Sequence, residues 1–291
     1  MSIVSPDDPL YECDDEKGAH QPAAKEAVLR RLSPCPKVRA LAACVADFYG
    51  GCLQYHESHG LPSSGYVVKL ERRPIRLIHA RIELQLGTNR IQEALVHELL
   101  HLRVATQGYP IPTAVCIPLR LARHSHDFLG MYPRITNLLE HEIMFDWFLA
   151  LGFQRVDFLG SDGDVPDYRE LASITLAYPL DKEILFPWWC LEYLRHWMFA
   201  RHIGKSGNYA EDALYWGSTV YPEIEGSAQE IRHLIESGSL RDPSAYPGQV
   251  NRVLATMNMP TFTEWARLQS LGNTGCAAVP YQSFHPSLGG I

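Results

Sequence analysis

The chain has 291 residues, of which 46% are hydrophobic and 20% are charged. This composition provides enough apolar material for a core and excludes a disordered or low-complexity protein. The formal net charge of -7 disfavours a protein that binds nucleic-acid phosphates or anionic lipid over a broad surface. The seven cysteines are scattered, which is typical of a protein in a reducing compartment. The sequence has no apolar run of about 18 residues and no pattern of a signal peptide at its start. Together these features predict a cytoplasmic protein with no membrane partner.

The first third of the chain contains two predicted helices followed by two predicted strands. Residues 1–22 mix Pro, Asp, Glu and Gly without periodicity, which predicts a flexible tail. Apolar residues recur at helical spacing over residues 23–53. Residues 65–71 and 75–86 contain alternating apolar and polar side chains, a pattern typical of two paired strands.

A helix is predicted next, and it contains the sequence EALVHELLHLRV. Gly87 ends the preceding strand, and Asn89 with Gln92 three positions later is typical of a capping box. Apolar residues continue at helical spacing until Gly108. The sequence therefore places its HELLH segment on a helix.

The rest of the chain is predicted to be mainly helical. A looser segment over residues 110–133 precedes a strongly apolar helix over residues 134–151. The stretch over residues 123–127, rich in His and Asp, is interpreted as a solvated loop. Six shorter helices are predicted over residues 168–177, 186–202, 209–216, 228–237, 249–257 and 263–270.

His97-Glu98-Leu99-Leu100-His101 is an HExxH sequence. Residues four apart lie on one face of a helix, so two imidazoles can bind one metal while Glu98 faces the open side of that metal. Two histidines and a glutamate among Leu and Val would cost several kcal/mol to bury without partners, and a metal is a partner that satisfies all three. We therefore expect Zn2+ to be bound by His97 and His101.

A catalytic zinc site usually has a third protein ligand and leaves the fourth position to water. The extended motif HExxHxxGxxH, which supplies a third histidine ligand, is absent. Val104 and Gln107 occupy the positions of its glycine and third histidine. The best source of the third ligand is the apolar helix, which polar residues interrupt over residues 137–146.

Two stripes of this helix offer a carboxylate. Glu140 shares one stripe with Asn137 and His141 by the i, i+3, i+4 rule. Glu142 and Asp146 share another stripe, and their ExxxD spacing resembles that of the gluzincin zinc metallopeptidases. The resemblance implies that Glu142 binds zinc and that Asp146 orients a zinc histidine.

The sequence leaves two roles open. Glu140 and Glu142 compete as the third zinc ligand, and a histidine such as His126 or His141 is a further alternative. The tetrahedral oxyanion of a hydrolysed amide needs a second donor, for which Tyr132, His126 and His141 are the candidates.

The resemblance to an HExxH metallopeptidase, limited to residues 65–153, implies hydrolysis of peptide bonds in a protein or peptide substrate. Glu98 would deprotonate a zinc-bound water that attacks the carbonyl and would return the proton to the leaving amine. The strand from Arg81 to Gly87 is expected to be a sheet edge to which an extended substrate adds. Rival hypotheses are a non-catalytic regulatory or binding protein with a structural metal, a small-amide metal hydrolase, and a helical interaction module without metal.

The predicted fold class is α+β. A short antiparallel sheet and the zinc helix would form a small metallopeptidase core within a mainly helical protein. The predicted organisation is a tail over residues 1–22, the core over 23–158, a helical region over 159–275 that packs on the core, and a second tail over 276–291.

Overall fold

The computed structural model describes residues 35–50, 53–58, 65–72, 77–85, 90–159, 165–177, 181–204, 208–272 and 276–281. The predicted tail over residues 1–22, the first predicted helix before Cys35 and the Asn89 cap lie outside these ranges. The described part combines helices with one sheet and is mostly helical. Within it, no helix is both long and apolar enough to cross a membrane.

Eight α-helices are present in the described ranges, and their bounds are α1 Pro36–Tyr49, α2 Ile91–Thr106, α3 Ser125–Ala150, α4 Tyr168–Ala177, α5 Lys182–Ile203, α6 Tyr209–Val220, α7 Ile224–Glu236 and α8 Tyr246–Thr256. The same described residues contain six strands, which are β1 Leu53–Ser58, β2 Gly65–Arg72, β3 Leu77–Gln85, β4 Ile111–Val115, β5 Phe262–Ser270 and β6 Cys276–Pro280. The predicted pairing of β2 with β3 is confirmed and is antiparallel.

Strand β3 lies inside the sheet. Strand β2 pairs with it along residues 77–84, β1 runs parallel to its residues 80–85, and β6 pairs with Leu77 and Ile78. Strands β5 and β4 continue the sheet beyond β6. The expectation that Arg81 to Gly87 is a sheet edge is therefore wrong for the described part of that segment, because its backbone groups already have partners on both sides.

The C-terminal part of the chain completes the sheet. Residues 263–270, predicted to be helical, belong to strand β5, and residues 276–280 of the predicted tail form β6. Buried Phe262, Ala266 and Leu268 alternate imperfectly with exposed positions along β5. A short apolar run of this kind fits both the periodicity of a helix and that of a strand. Pairing with β4 and β6 determines that the segment is a strand.

Helix α3 begins at Ser125, earlier than the predicted start at residue 134. Pro133 lies inside it, where the missing N–H removes one backbone hydrogen bond. Phe128 and Met131 are buried on the early turns, so core packing offsets that loss. The looser segment before the helix contains β4 and a 3-10 helix over Leu119–His124.

Helix α2 lies in the middle of the fold. It packs on β2, β3 and β5 of the sheet, on α1, and on α3. Its apolar residues Leu95, Leu99 and Leu102 are almost completely buried. The sheet therefore fixes α2 on one side while α3 covers another.

The role of β6 gives a direct prediction. Ala278 is 5% exposed, whereas the adjacent Ala277 is half-buried on the opposite face. Ala278→Asp should lower the free energy of unfolding by about 3 kcal/mol, because it buries an unpaired carboxylate. Ala277→Asp is the matched control and should cost less than half as much. Equal stability of both variants and the wild type in urea titrations would show that this segment is a tail.

Candidate metal centre

Three imidazoles converge between α2 and α3. His97 and His101 are one turn apart on α2, and their Nε2 atoms are 3.2 Å from each other. His141 on α3 places its Nε2 atom 3.2 Å from Nε2 of His97. One nitrogen of each ring lies within 4.8 Å of the others, so the three rings together can surround an ion.

These separations fit zinc. Zn–N bonds of about 2.0–2.1 Å at tetrahedral angles hold ligand nitrogens about 3.3 Å apart. The two Nε2 distances of 3.2 Å match that spacing closely. Imidazole is also a preferred zinc ligand, so both the donor type and the geometry suit the metal.

The protein keeps two of these rings neutral. Burial lowers the pKa of His97 well below its usual value and the neighbouring imidazole of His101 adds to this effect, while the Phe158 backbone opposes it. Burial also lowers the pKa of His141, with smaller contributions from His97 and His101. A neutral imidazole has a free lone pair, which is the form that binds a metal.

Glu140 lies behind His101. Its Oε2 atom accepts a hydrogen bond of 2.7 Å from Nδ1 of His101. A neutral His101 that donates from Nδ1 to this carboxylate presents an unprotonated Nε2 to the other two rings. The structure thus places Glu140 as a partner of a candidate ligand, where the sequence suggested it as the ligand itself.

Glu142 lies elsewhere. It is 3% exposed, and its carboxylate contacts Arg201 and His202 of α5 and Arg241 of the 3-10 helix over Ser239–Arg241. Asp146, one turn later, forms an ion pair of 2.7 Å with Arg241. The ExxxD pair that resembles a gluzincin motif therefore fastens α3 to its neighbours and is not in the histidine cluster.

The charge of Glu142 contributes to stability. Burial opposes its ionisation, but hydrogen bonds from His202 and Arg201 outweigh that effect and lower the pKa of the carboxyl to about 2. A lowered carboxyl pKa gives stability that is present above the unfolded-state pKa and is lost as the pH falls toward the folded-state pKa. For Glu142 this window runs from pH 4.5 down to about 2.

Two other predicted participants are far from the cluster. The Tyr132 hydroxyl donates a hydrogen bond of 2.8 Å to the Pro260 carbonyl, and this residue precedes His141 by nine positions, or about 13.5 Å along the helix axis. His126 is exposed near the start of the same helix. Neither side chain is brought to the three rings, so neither serves as the oxyanion donor in this arrangement.

Three further residues surround the cluster. Glu98 is buried beside His97, with 6% of its surface exposed. The Phe158 ring packs at 5.1 Å from the His97 ring and 5.4 Å from the His141 ring, which provides an apolar wall. Asn137 is exposed, and its Nδ2 atom lies 3.3 Å from Nε2 of His101. Sequence reasoning missed Phe158, because a lone aromatic after a helix has no distinctive pattern.

The three rings, the carboxylate behind one of them and the buried Glu98 together form a candidate catalytic metal centre. Comparison with known proteins adds no family to this description. No protein-family model, no curated protein and no solved structure matches the chain. The case for a metal centre consequently depends on the sequence motif and on the geometry.

The different contacts of Glu140 and Glu142 predict different phenotypes. Glu140→Gln should weaken zinc binding by about 10- to 100-fold, as expected when a charged partner of a ligand histidine is lost. Glu142→Gln should retain zinc affinity but lower the free energy of unfolding by about 2 kcal/mol, because its charged hydrogen bonds are weakened. Competition with a chelator and urea titrations measure the two effects. Loss of zinc in the Glu142 variant alone would contradict the proposed ligand set.

Proposed function

We propose that the chain is a zinc-dependent hydrolase of the metallopeptidase type, with His97, His101 and His141 as the metal ligands. The observation that carries this proposal is the convergence of three imidazoles: two pairs of Nε2 atoms are 3.2 Å apart, and one nitrogen of each ring lies within 4.8 Å of the others. The buried Glu98 on the same helix supports it, because a carboxylate beside a three-histidine site can act as a general base.

The number of ligands favours catalysis over a structural metal. Structural zinc sites usually have four protein ligands, whereas catalytic sites have three and leave one position for water or substrate. Among the described His, Cys, Asp and Glu residues, three converge here. His97 is half-buried and Asn137 is exposed, so one side of the cluster reaches solvent, as access for a substrate requires.

Each residue has a defined task in this proposal. Bound zinc would supply a Lewis acid that polarises the scissile carbonyl and makes a water nucleophilic at neutral pH. Glu98 accepts the proton of the attacking water and donates it to the leaving amine. Glu140 holds His101 in the ligand tautomer. Phe158 keeps water away from one side of the rings.

The first test is the metal itself. Protein purified without chelator should contain about one zinc per chain, measured by elemental analysis. His97→Ala, His101→Ala and His141→Ala should each lose most of it, because a site with two ligands binds zinc weakly. His126→Ala is the matched control, since this exposed histidine lies on the same helix as His141.

A wild-type protein without zinc, or a His141→Ala variant with undiminished zinc, would overturn this ligand set. The second result would imply that another residue is the third ligand. Thermal unfolding of each variant separates loss of ligand from loss of fold, because zinc added to a folded site raises the unfolding temperature only if it binds.

The second test concerns Glu98. Glu98→Gln keeps the size and most hydrogen bonding of the side chain but removes the basic carboxylate. Zinc content should be unchanged, while cleavage of a peptide found in a library screen should fall by about 10²- to 10⁴-fold. Cleavage at the wild-type rate by this variant would exclude Glu98 as the base, even with zinc present.

A further inference from the structure

Asn137 is an exposed polar residue beside the metal-facing side of His101. It lies on α3 one turn before His141, so both side chains are on the same face of that helix. Its Nδ2 atom lies 3.3 Å from Nε2 of His101. The two atoms are at hydrogen-bond distance, and the amide is on the side of the cluster that reaches solvent.

The hydrogen bond between His101 and Glu140 indicates which atom is the donor in the contact between His101 and Asn137. When neutral His101 donates from Nδ1 to Glu140, its Nε2 atom has the lone pair, and both the Asn137 amide and Nε2 of His97 lie within hydrogen-bond distance of that atom. A metal would take the same lone pair. The amide N–H would then lose its acceptor without being displaced from the site.

The released N–H stays close to the ion. With a Zn–N bond of about 2.1 Å, Nδ2 of Asn137 can be no farther than about 5.4 Å from a zinc held by His101. A substrate oxygen that approaches the ion on the Asn137 side comes within reach of this donor. The Tyr132 hydroxyl is already engaged with the Pro260 carbonyl.

We infer that Asn137 donates a hydrogen bond to the carbonyl oxygen of the substrate and thereby fulfils the oxyanion role. This inference rests on the proposed function and names the group that binds the reacting carbonyl. A neutral amide can stabilise the negative charge that develops on that oxygen without itself changing protonation, and donors of this kind contribute about 10²- to 10³-fold to the rate.

The same contact places a restriction on the substrate. The group that binds must present an oxygen with a free lone pair toward the exposed side of the rings, as the carbonyl of an amide or ester does. A protonated amine or a thioether offers no comparable acceptor to the amide N–H.

The inference is tested with zinc-loaded protein and acetohydroxamate, which presents a carbonyl oxygen and a second oxygen to zinc. Asn137→Ala should keep full zinc content but bind acetohydroxamate at least about tenfold more weakly, as expected for one hydrogen bond to a polarised oxygen. Asn137→Asp has nearly the same shape but no N–H donor, so it should also lose affinity. His126→Ala is again the control and should match the wild type.

Calorimetry measures hydroxamate affinity, and elemental analysis measures zinc. Equal hydroxamate affinity in the wild type and in both Asn137 variants, with zinc present in all, would overturn the inference and leave the proposed function intact. Loss of zinc in Asn137→Ala would also overturn it, because Asn137 would then be a ligand. Absence of zinc from the wild type would instead overturn the proposed function.

Discussion

The hydrogen bond between His101 and Glu140 is the contact on which the arrangement of the centre depends. Three imidazoles between two helices, two of them buried and one half-buried, need partners, because polar groups without hydrogen bonds are costly in a low-dielectric interior. The carboxylate supplies one partner and selects the tautomer of His101, while Phe158 packs against the other two rings. Helix α2 is held by the sheet and helix α3 by ion pairs with Arg201 and Arg241, so the two sides of the cluster are fixed independently.

Two carboxylates on α3, Glu140 and Glu142, make different contacts because they point in different directions from the helix. Glu140 and Glu142 are two residues apart, which rotates them by about 200° around the helix axis. The first therefore points to α2, and the second points to α5 and Arg241. His141 lies between them in the chain and joins the histidine cluster. One turn of helix thus provides a candidate metal ligand, the partner of another candidate ligand and a structural anchor.

Local pattern predicted much of the fold and part of the site. The alternation over β2 and β3 and the helical spacing over α2 depend on short-range periodicity, and the HExxH spacing placed His97 and His101 on one face. The third member of the histidine cluster could not be chosen in this way, because α3 has polar residues on two stripes. The choice depends on which stripe faces α2, and Arg201 and Arg241, which engage Glu142, are distant in the chain. The same limit applies to β5, whose strand conformation is set by pairing with remote segments.

The position of β6 has a consequence for the biogenesis of the protein. Ala277 pairs with Leu77, so the strand before the HExxH helix meets a partner synthesised near the end of the chain. Contacts between such distant segments slow folding, and N-terminal parts emerge first during synthesis. The platform beneath α2 is completed only when the C-terminal strands arrive. Until β5 and β6 have been synthesised, α2 therefore packs on an incomplete sheet, and the helix that carries His97 and His101 lacks part of its support.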